Sequence, residues 1–337
     1  MLKFYKIMFV NSMILGTLMA ISSYTWLGMW MGLEINLLSI IPLLNSSKNM
    51  YSSEASLKYF LTQAMASLIL LLSIILIMIS TEFISPTMNS SYEIMLNSAL
   101  MTKLGAAPFH YWFPEVMEGL NWMNCMILLT WQKIAPMSIL IINDPKTEFM
   151  MVIIIISLVV STLMSLNQIS LRKIMAFSSI NHIAWMLSAM MTSMSIWFIY
   201  LLVYLIITIN ITLIFNNGKL MFINQFPSFM KHNKMVKLSL MINFLSLGGL
   251  PPFLGFMPKW FTINWMVMNS LNVLAIILII MTLIMLFVYV RIIMSSLIIQ
   301  SSESKIPTLN MNKFNMLLFN FITLSSLFSC TFLFNLI

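Results

Sequence analysis

From residue 3 to residue 335 the chain is a succession of apolar runs, each about as long as a bilayer is thick. A helix needs roughly 20 apolar residues to cross the hydrocarbon core, and only short polar or Pro/Gly clusters separate these runs. Eleven spans are predicted, over 3–22, 24–44, 56–79, 92–119, 122–142, 149–167, 171–190, 194–216, 236–267, 272–294 and 314–335. Charged residues are 8% of the 337. Soluble domains carry about 25%, so this chain cannot cover a water-facing surface. The expected fold class is an all-α polytopic membrane protein of about eleven transmembrane helices, one domain over 1–337 with no room for a separate soluble one.

The cations test the count. With eleven helices, the N-terminus and alternate loops share one side of the membrane. That side and its helix ends hold Lys3, Lys6, Lys48, Lys58, Arg172, Lys173, Lys219, Lys231, Lys234, Lys237, Arg291, Lys305 and Lys313; the other side holds only Lys146. A miscounted helix in the middle would scramble this asymmetry. The positive-inside rule then places the N-terminus on the positive side and the C-terminus opposite. The net charge of +8 follows from this rule and forms no basic, aromatic-laced face of the kind that binds nucleic acid.

Other features bear on source and compartment. Met occurs 36 times, and of 17 cations only Arg172 and Arg291 are arginine. An AT-rich genome that reads ATA as methionine produces this pattern, and an animal mitochondrial genome fits; the positive side is then the matrix. The apolar stretch 7–21 behind Lys3 and Lys6 lacks a small-residue cleavage site and reads as the first span. Cys125 and Cys330 lie in apolar helical stretches and read as small buried hydrophobes. Two thiols and three histidines give no basis for a metal site.

Two segments repeat. Gly105, Pro108, Phe109 and Pro114, followed by Glu115, recur as Gly249, Pro252, Phe253 and Pro258, followed by Lys259, at a constant offset of 144. Proline in a helix removes a backbone hydrogen bond and clashes one turn back. Each segment should therefore be a broken helix, tolerated at membrane depth only where protein or a wet cavity satisfies the freed groups. The breaks fall in the fourth and ninth spans, which cross in opposite directions. The chain thus reads as an inverted-topology repeat with halves at roughly 24–142 and 171–294, the arrangement that marks a transporter's working site.

Ionisable groups inside spans are costly and point to function. Lys103 lies beside the first break and Lys259 directly after Pro258 in the second. Lys133 sits in Trp131-Gln132-Lys133-Ile134-Ala135-Pro136, and Glu34 is the only acid deep in any span, with Asn36 two residues on. His182 lies in the polar run Ser178-Ser179-Ile180-Asn181-His182; a relay role and an ordinary hydrogen bond both remain open for it. His110 abuts the first break, and Glu115 and Glu118 read as solvated helix-end carboxylates. No Gly-rich dinucleotide loop, P-loop or cysteine cluster is present, so no cofactor is expected in this chain.

At these residues the sequence resembles a known family. The stretches are Trp30-Met31-Gly32-Leu33-Glu34-Ile35-Asn36, Glu54-Ala55-Ser56-Leu57-Lys58-Tyr59-Phe60, Lys103-Leu104-Gly105-Ala106-Ala107-Pro108-Phe109-His110, Trp131-Gln132-Lys133, Ser178-Ser179-Ile180-Asn181-His182, Gly248-Gly249-Leu250-Pro251-Pro252-Phe253 and Pro258-Lys259-Trp260. They are similar to the antiporter-like proton-pumping subunits in the membrane arm of respiratory complex I, mitochondrial NADH–ubiquinone oxidoreductase, in the form found in insects or related invertebrates. The resemblance covers nearly the whole chain, although the last 70 or so residues carry little motif information. It implies a Glu–Lys pair at Glu34 and Lys103, a central Lys133 and a terminal Lys259, with His182 a candidate relay. It implies a multi-pass protein of the mitochondrial inner membrane that translocates protons as part of an NADH:ubiquinone reductase. NADH, FMN, iron–sulfur clusters and ubiquinone then reside in partner subunits. The implied partners are other membrane-arm subunits, further antiporter-like ones included, with cardiolipin a candidate lipid and no nucleic acid. Bacterial relatives carry three further N-terminal helices, whose absence touches none of the named residues.

Separating a Glu34–Lys103 ion pair from about 4 Å costs on the order of 4 kcal/mol at an effective dielectric near 20. A membrane potential of about 150 mV costs a proton roughly 3.5 kcal/mol, so opening and closing such a pair is the right size to drive one proton. Three other readings stand beside this one: a stand-alone cation/proton antiporter, a structural spacer without its own proton path, and a quinone-site subunit. A stand-alone antiporter would show ion flux in liposomes, a spacer needs no buried lysines, and the lack of a His-, Tyr- and Asp-rich loop argues against a quinone site.

Overall fold

The computed structural model describes residues 4–46, 49–82, 86–227 and 234–298. Lys3, Lys48, Lys231, Lys305, Lys313 and the expected eleventh span at 314–335, with Cys330, lie outside the described residues. Among the described residues the chain is helical with no strand; its one β-type contact is an isolated bridge between Ser170 and Phe222.

Ten of the eleven predicted spans are present. Eight are long and apolar enough to cross a membrane: α1 (Phe4–Ser22), α2 (Trp26–Leu44), α3 (Met50–Glu82), the stretch Trp122–Asn143, α8 (Thr147–Leu166), α9 (Leu171–Thr192), α10 (Met194–Gly218) and α13 (Asn272–Ile298). The other two are the predicted broken spans. The first is α4 (Pro86–Leu104) followed by α5 (Trp112–Gly119); the second is α11 (Lys234–Gly248) followed by α12 (Phe256–Met268).

The Trp122–Asn143 stretch departs from the expectation of an unbroken helix. It consists of α6 (Trp122–Leu129), a 3-10 turn over Trp131–Lys133 and α7 (Ile134–Asn143). Pro136 supplies the reason: its nitrogen cannot donate to the Gln132 carbonyl one turn earlier, so the α ladder fails there. A proline already visible in the sequence thus makes a third interruption, at Lys133.

The chain falls into two compact units, Met1–Ile153 and Ile154–Ile337. In the first, α1 lies along α2, α3 packs on α2, α4 and α5, and α7 touches α1, α2 and α4. The α1–α2 pair is close because small residues face each other; a Cβ on Gly32 would lie 2.5 Å from the Ala20 nitrogen. In the second unit α9 is central, packed by α10, α12 and α13, while α11 packs on α10 and α13. Arg291 of α13 donates to the carbonyls of Leu166 (2.7 Å) and Gln168 (3.3 Å), satisfying groups left open where α8 ends.

Candidate functional site

The two breaks share one backbone pattern. Gly105 and Gly249 both take a left-handed conformation (φ 75° and 77°), which glycine adopts without steric cost. The Gly105 amide donates to Met101 (3.0 Å) and Thr102 (3.2 Å); that of Gly249 donates to Leu245 (3.1 Å) and Ser246 (3.0 Å). Next, Ala106 donates to Met101 and Leu250 to Leu245; then Phe109 donates to Ala106 and Phe253 to Leu250. Ala107-Pro108 and Pro251-Pro252 are both cis. Every step keeps the 144-residue offset. The left-handed residue ends one helix, the prolines prevent its resumption, and α5 and α12 begin at the matching residues Trp112 and Phe256.

Each of the three intramembrane lysines sits at an interruption and is buried. Lys103, 7% exposed, is the penultimate residue of α4. Lys133, 3% exposed, closes the 3-10 turn. Lys259, 6% exposed, lies in the first turn of α12. Interrupted helices leave amide and carbonyl dipoles unpaired within the chain, and these give a buried charge polar surroundings that an intact helix does not.

Lys259 shows this directly. Its Nζ donates to the carbonyls of Leu247 (2.9 Å) and Gly248 (3.0 Å), the open C-terminal end of α11. A cation at that end also meets the negative pole of the helix dipole. The Trp185 ring lies beneath the amine at 5.6 Å, a cation–π contact.

Around Lys103 the pattern differs. The open end of α4 is served by neutral donors: the Trp112 indole to the Thr102 carbonyl (3.1 Å), and the Gln63 amide to the Lys103 carbonyl (3.5 Å). Glu34, half-buried in α2, is the acid whose field reaches Lys103. The two are not in salt-bridge contact, so the pair expected from the sequence is coupled through space and not closed.

Two residues past Glu34, Asn36 forms a reciprocal amide pair with Gln132, at 3.0 and 2.9 Å. The Tyr59 hydroxyl donates to the same Gln132 oxygen at 3.4 Å. This pair ties α2 to the turn that holds Lys133. Asn36 and Gln132 were both conspicuous as polar residues in apolar runs, but their partnership spans 96 positions and no local pattern announces it. Glu115 pairs with Lys58 at 3.0 Å, as does Glu54, and all three side chains are exposed. That bears out Glu115 as a solvated helix-end carboxylate.

In the second unit His182 is buried, with Nδ1 at 2.9 Å from the Tyr200 hydroxyl. His110 is buried against the Tyr111 ring, its Nδ1 without a hydrogen-bond partner. Among the described residues no three His, Cys, Asp or Glu side chains group so as to hold a metal ion.

Residues 23–285 match the family described as NADH:quinone oxidoreductase/Mrp antiporter, transmembrane. The chain is 50% identical over 327 residues to NADH-ubiquinone oxidoreductase chain 2 of Anopheles gambiae, covering 95% of each. The chain belongs to the NADH-ubiquinone oxidoreductase chain 2 family. The Locusta migratoria chain 2 is 42% identical over 91% of this chain and 90% of that one. The fold of this chain 2 family member is that of a chain of respiratory complex I from Thermus thermophilus, with a TM-score of 0.87 over 96% of this chain and 78% of that one, at 21% identity. The resemblance read from the motifs and these matches therefore agree on one family.

Proposed function

We propose that this chain is a proton-translocating membrane-arm subunit of an NADH:ubiquinone oxidoreductase complex. Its place is the mitochondrial inner membrane, with the N-terminus on the matrix side and the C-terminus on the intermembrane-space side. Glu34, Lys103, Lys133 and Lys259 are its proton-handling groups, with His182 as a relay. NADH, FMN, iron–sulfur clusters and ubiquinone belong to partner subunits, and further antiporter-like subunits are its neighbours in the membrane.

The observation that carries this reading is the coincidence of three buried amines with three helix interruptions. A spacer gains nothing from burying lysines, which cost several kcal/mol each at membrane depth. Lipid-exposed lysines would snorkel, yet each of these is at most 7% exposed. The Glu34–Lys103 relation fits a switch. With the carboxylate not bound to the amine, its approach would close the pair and its return reopen it, changing how firmly Lys103 holds its proton.

The test is the assembled complex in sealed inner-membrane vesicles. Glu34→Gln and Lys103→Met should each cut NADH-driven proton uptake severalfold at normal assembly. Uptake unchanged in both variants would overturn the mechanism. Cation-driven proton flux from the purified chain in liposomes, without redox partners, would favour a stand-alone antiporter instead.

A further inference from the structure

The interior of the second unit holds more hydroxyls than packing requires. Tyr200 and Tyr204 on α10 and Tyr289 on α13 are each about 2% exposed or less. All three gather near the polar run of α9. Tyr200 bonds His182 at 2.9 Å, the Tyr204 hydroxyl meets Ser179, and the Tyr204 ring lies 5.1 Å from the imidazole. The Tyr289 hydroxyl faces Ser178 without a well-formed hydrogen bond.

The cluster reaches Lys259 on two sides. Trp185, which underlies the Lys259 amine, stacks on Tyr200 at 6.5 Å and 14°. Gly248, whose carbonyl holds the amine, is so close to Tyr289 that a Cβ there would sit 3.7 Å from the tyrosine ring. The helices that carry these groups also hold buried polar atoms without hydrogen-bond partners: both ends of the Asn243 amide on α11, and Asn181 Oδ1 and Trp185 Nε1 on α9. Buried polar groups are as a rule paired with protein or with ordered water. Phenylalanine would fill the three tyrosine sites with the same ring and no hydroxyl to bury. Buried hydroxyls and an imidazole that lead through Trp185 and Gly248 to the seat of one lysine have the composition of a proton-conducting chain.

We propose that Tyr200 and Tyr289 extend the path at His182 into a hydroxyl–imidazole relay serving Lys259, with Tyr204 beside the imidazole. This rests on the reading of Lys259 as a proton-carrying group. In each transfer a tyrosine hydroxyl accepts a proton on its lone pair as it gives its own to the next acceptor. The O–H bond broken is matched by one formed, and no tyrosinate accumulates. His182 takes a proton on one ring nitrogen and releases one from the other.

The experiment uses the assembled complex in sealed inner-membrane vesicles, with Tyr200→Phe, Tyr289→Phe and Lys259→Met compared. Proton uptake per NADH oxidised and the solvent deuterium isotope effect on turnover are measured. The relay predicts that either phenylalanine variant lowers uptake about threefold or more and raises the isotope effect, at normal assembly. Packing alone would move neither. Wild-type uptake and isotope effect in both, with uptake lost in Lys259→Met, would overturn the relay and leave Lys259 in its role. Wild-type uptake in all three would overturn both. Should Tyr200→Phe fail to assemble, His182→Gln tests the same link, because glutamine can bond Tyr200 but cannot pass a proton through a ring. Wild-type behaviour of that variant overturns the relay, and severalfold loss supports it.

Discussion

In the first broken helix the cation precedes the break: Lys103 lies at the end of α4, and the position matching Lys259 is Glu115, exposed and paired with Lys58. In the second the order is reversed. The position matching Lys103 is Leu247, whose carbonyl receives the amine of Lys259 from beyond the break. The backbone hydrogen bonds from Gly105 to Phe109 match those from Gly249 to Phe253, so the contrast lies in which side of the shared turn each lysine occupies. An amine beyond the break reaches back and caps the open helix end. An amine before it leaves that end to Trp112 and Gln63, and stays under the influence of Glu34. One scaffold thus holds one lysine firmly and leaves the other responsive to a carboxylate.

The second break is also tighter. A Cβ on Gly255 would lie 1.7 Å from the Ser246 carbonyl oxygen, whereas its counterpart Tyr111 is 71% exposed. Gly255→Ala should therefore have the largest effect, a subunit that fails to accumulate in the assembled complex on native gels, while Tyr111→Ala assembles normally. Equal tolerance would show that the breaks are not packed differently.

Lys259→Met comes next. It leaves the Leu247 and Gly248 carbonyls without their charged donor, at about 1.5–3 kcal/mol per bond, and should lower the melting temperature of the complex as well as abolish uptake. Lys259→Gln should recover much of the melting temperature and none of the uptake. Recovery of uptake would show that the amine acts only as a cap.

Gly249→Ala should cost more than Gly105→Ala. Both put a side chain at positive φ, about 1–2 kcal/mol. The new Cβ at 249 would also lie 2.7 Å from the Lys259 chain, whereas at 105 it meets Phe113 at 3.3 Å. Melting curves and uptake of the two complexes check this, and a reversed order would contradict the tight seating of Lys259. Smallest is Glu115→Gln, expected to change stability by under about 1 kcal/mol because its ion pair is exposed.

Much of this was legible beforehand. Apolar run length marked the spans, and the paired Gly and Pro positions marked the segments in which both main breaks fall, because those residue types act on the backbone locally. The third interruption was missed although Pro136 was in view; one proline without a glycine leaves kink and break undecided. The Asn36–Gln132 pair and the tyrosine cluster depend on which helices pack together, which spacing along one helix does not encode. Whether Glu34 and Lys103 form a closed pair depends on side-chain geometry that sequence leaves free.

Of the eight spans long and apolar enough to cross a membrane, the least apolar, α9, has 89% of its membrane-length window buried, against 39% for the most apolar, α13. Between these two helices the oilier one is the less covered by the rest of the protein. A photoactivated carbene dissolved in the lipid would tag α13 and pass over α9, even though both are long enough to run from one leaflet to the other.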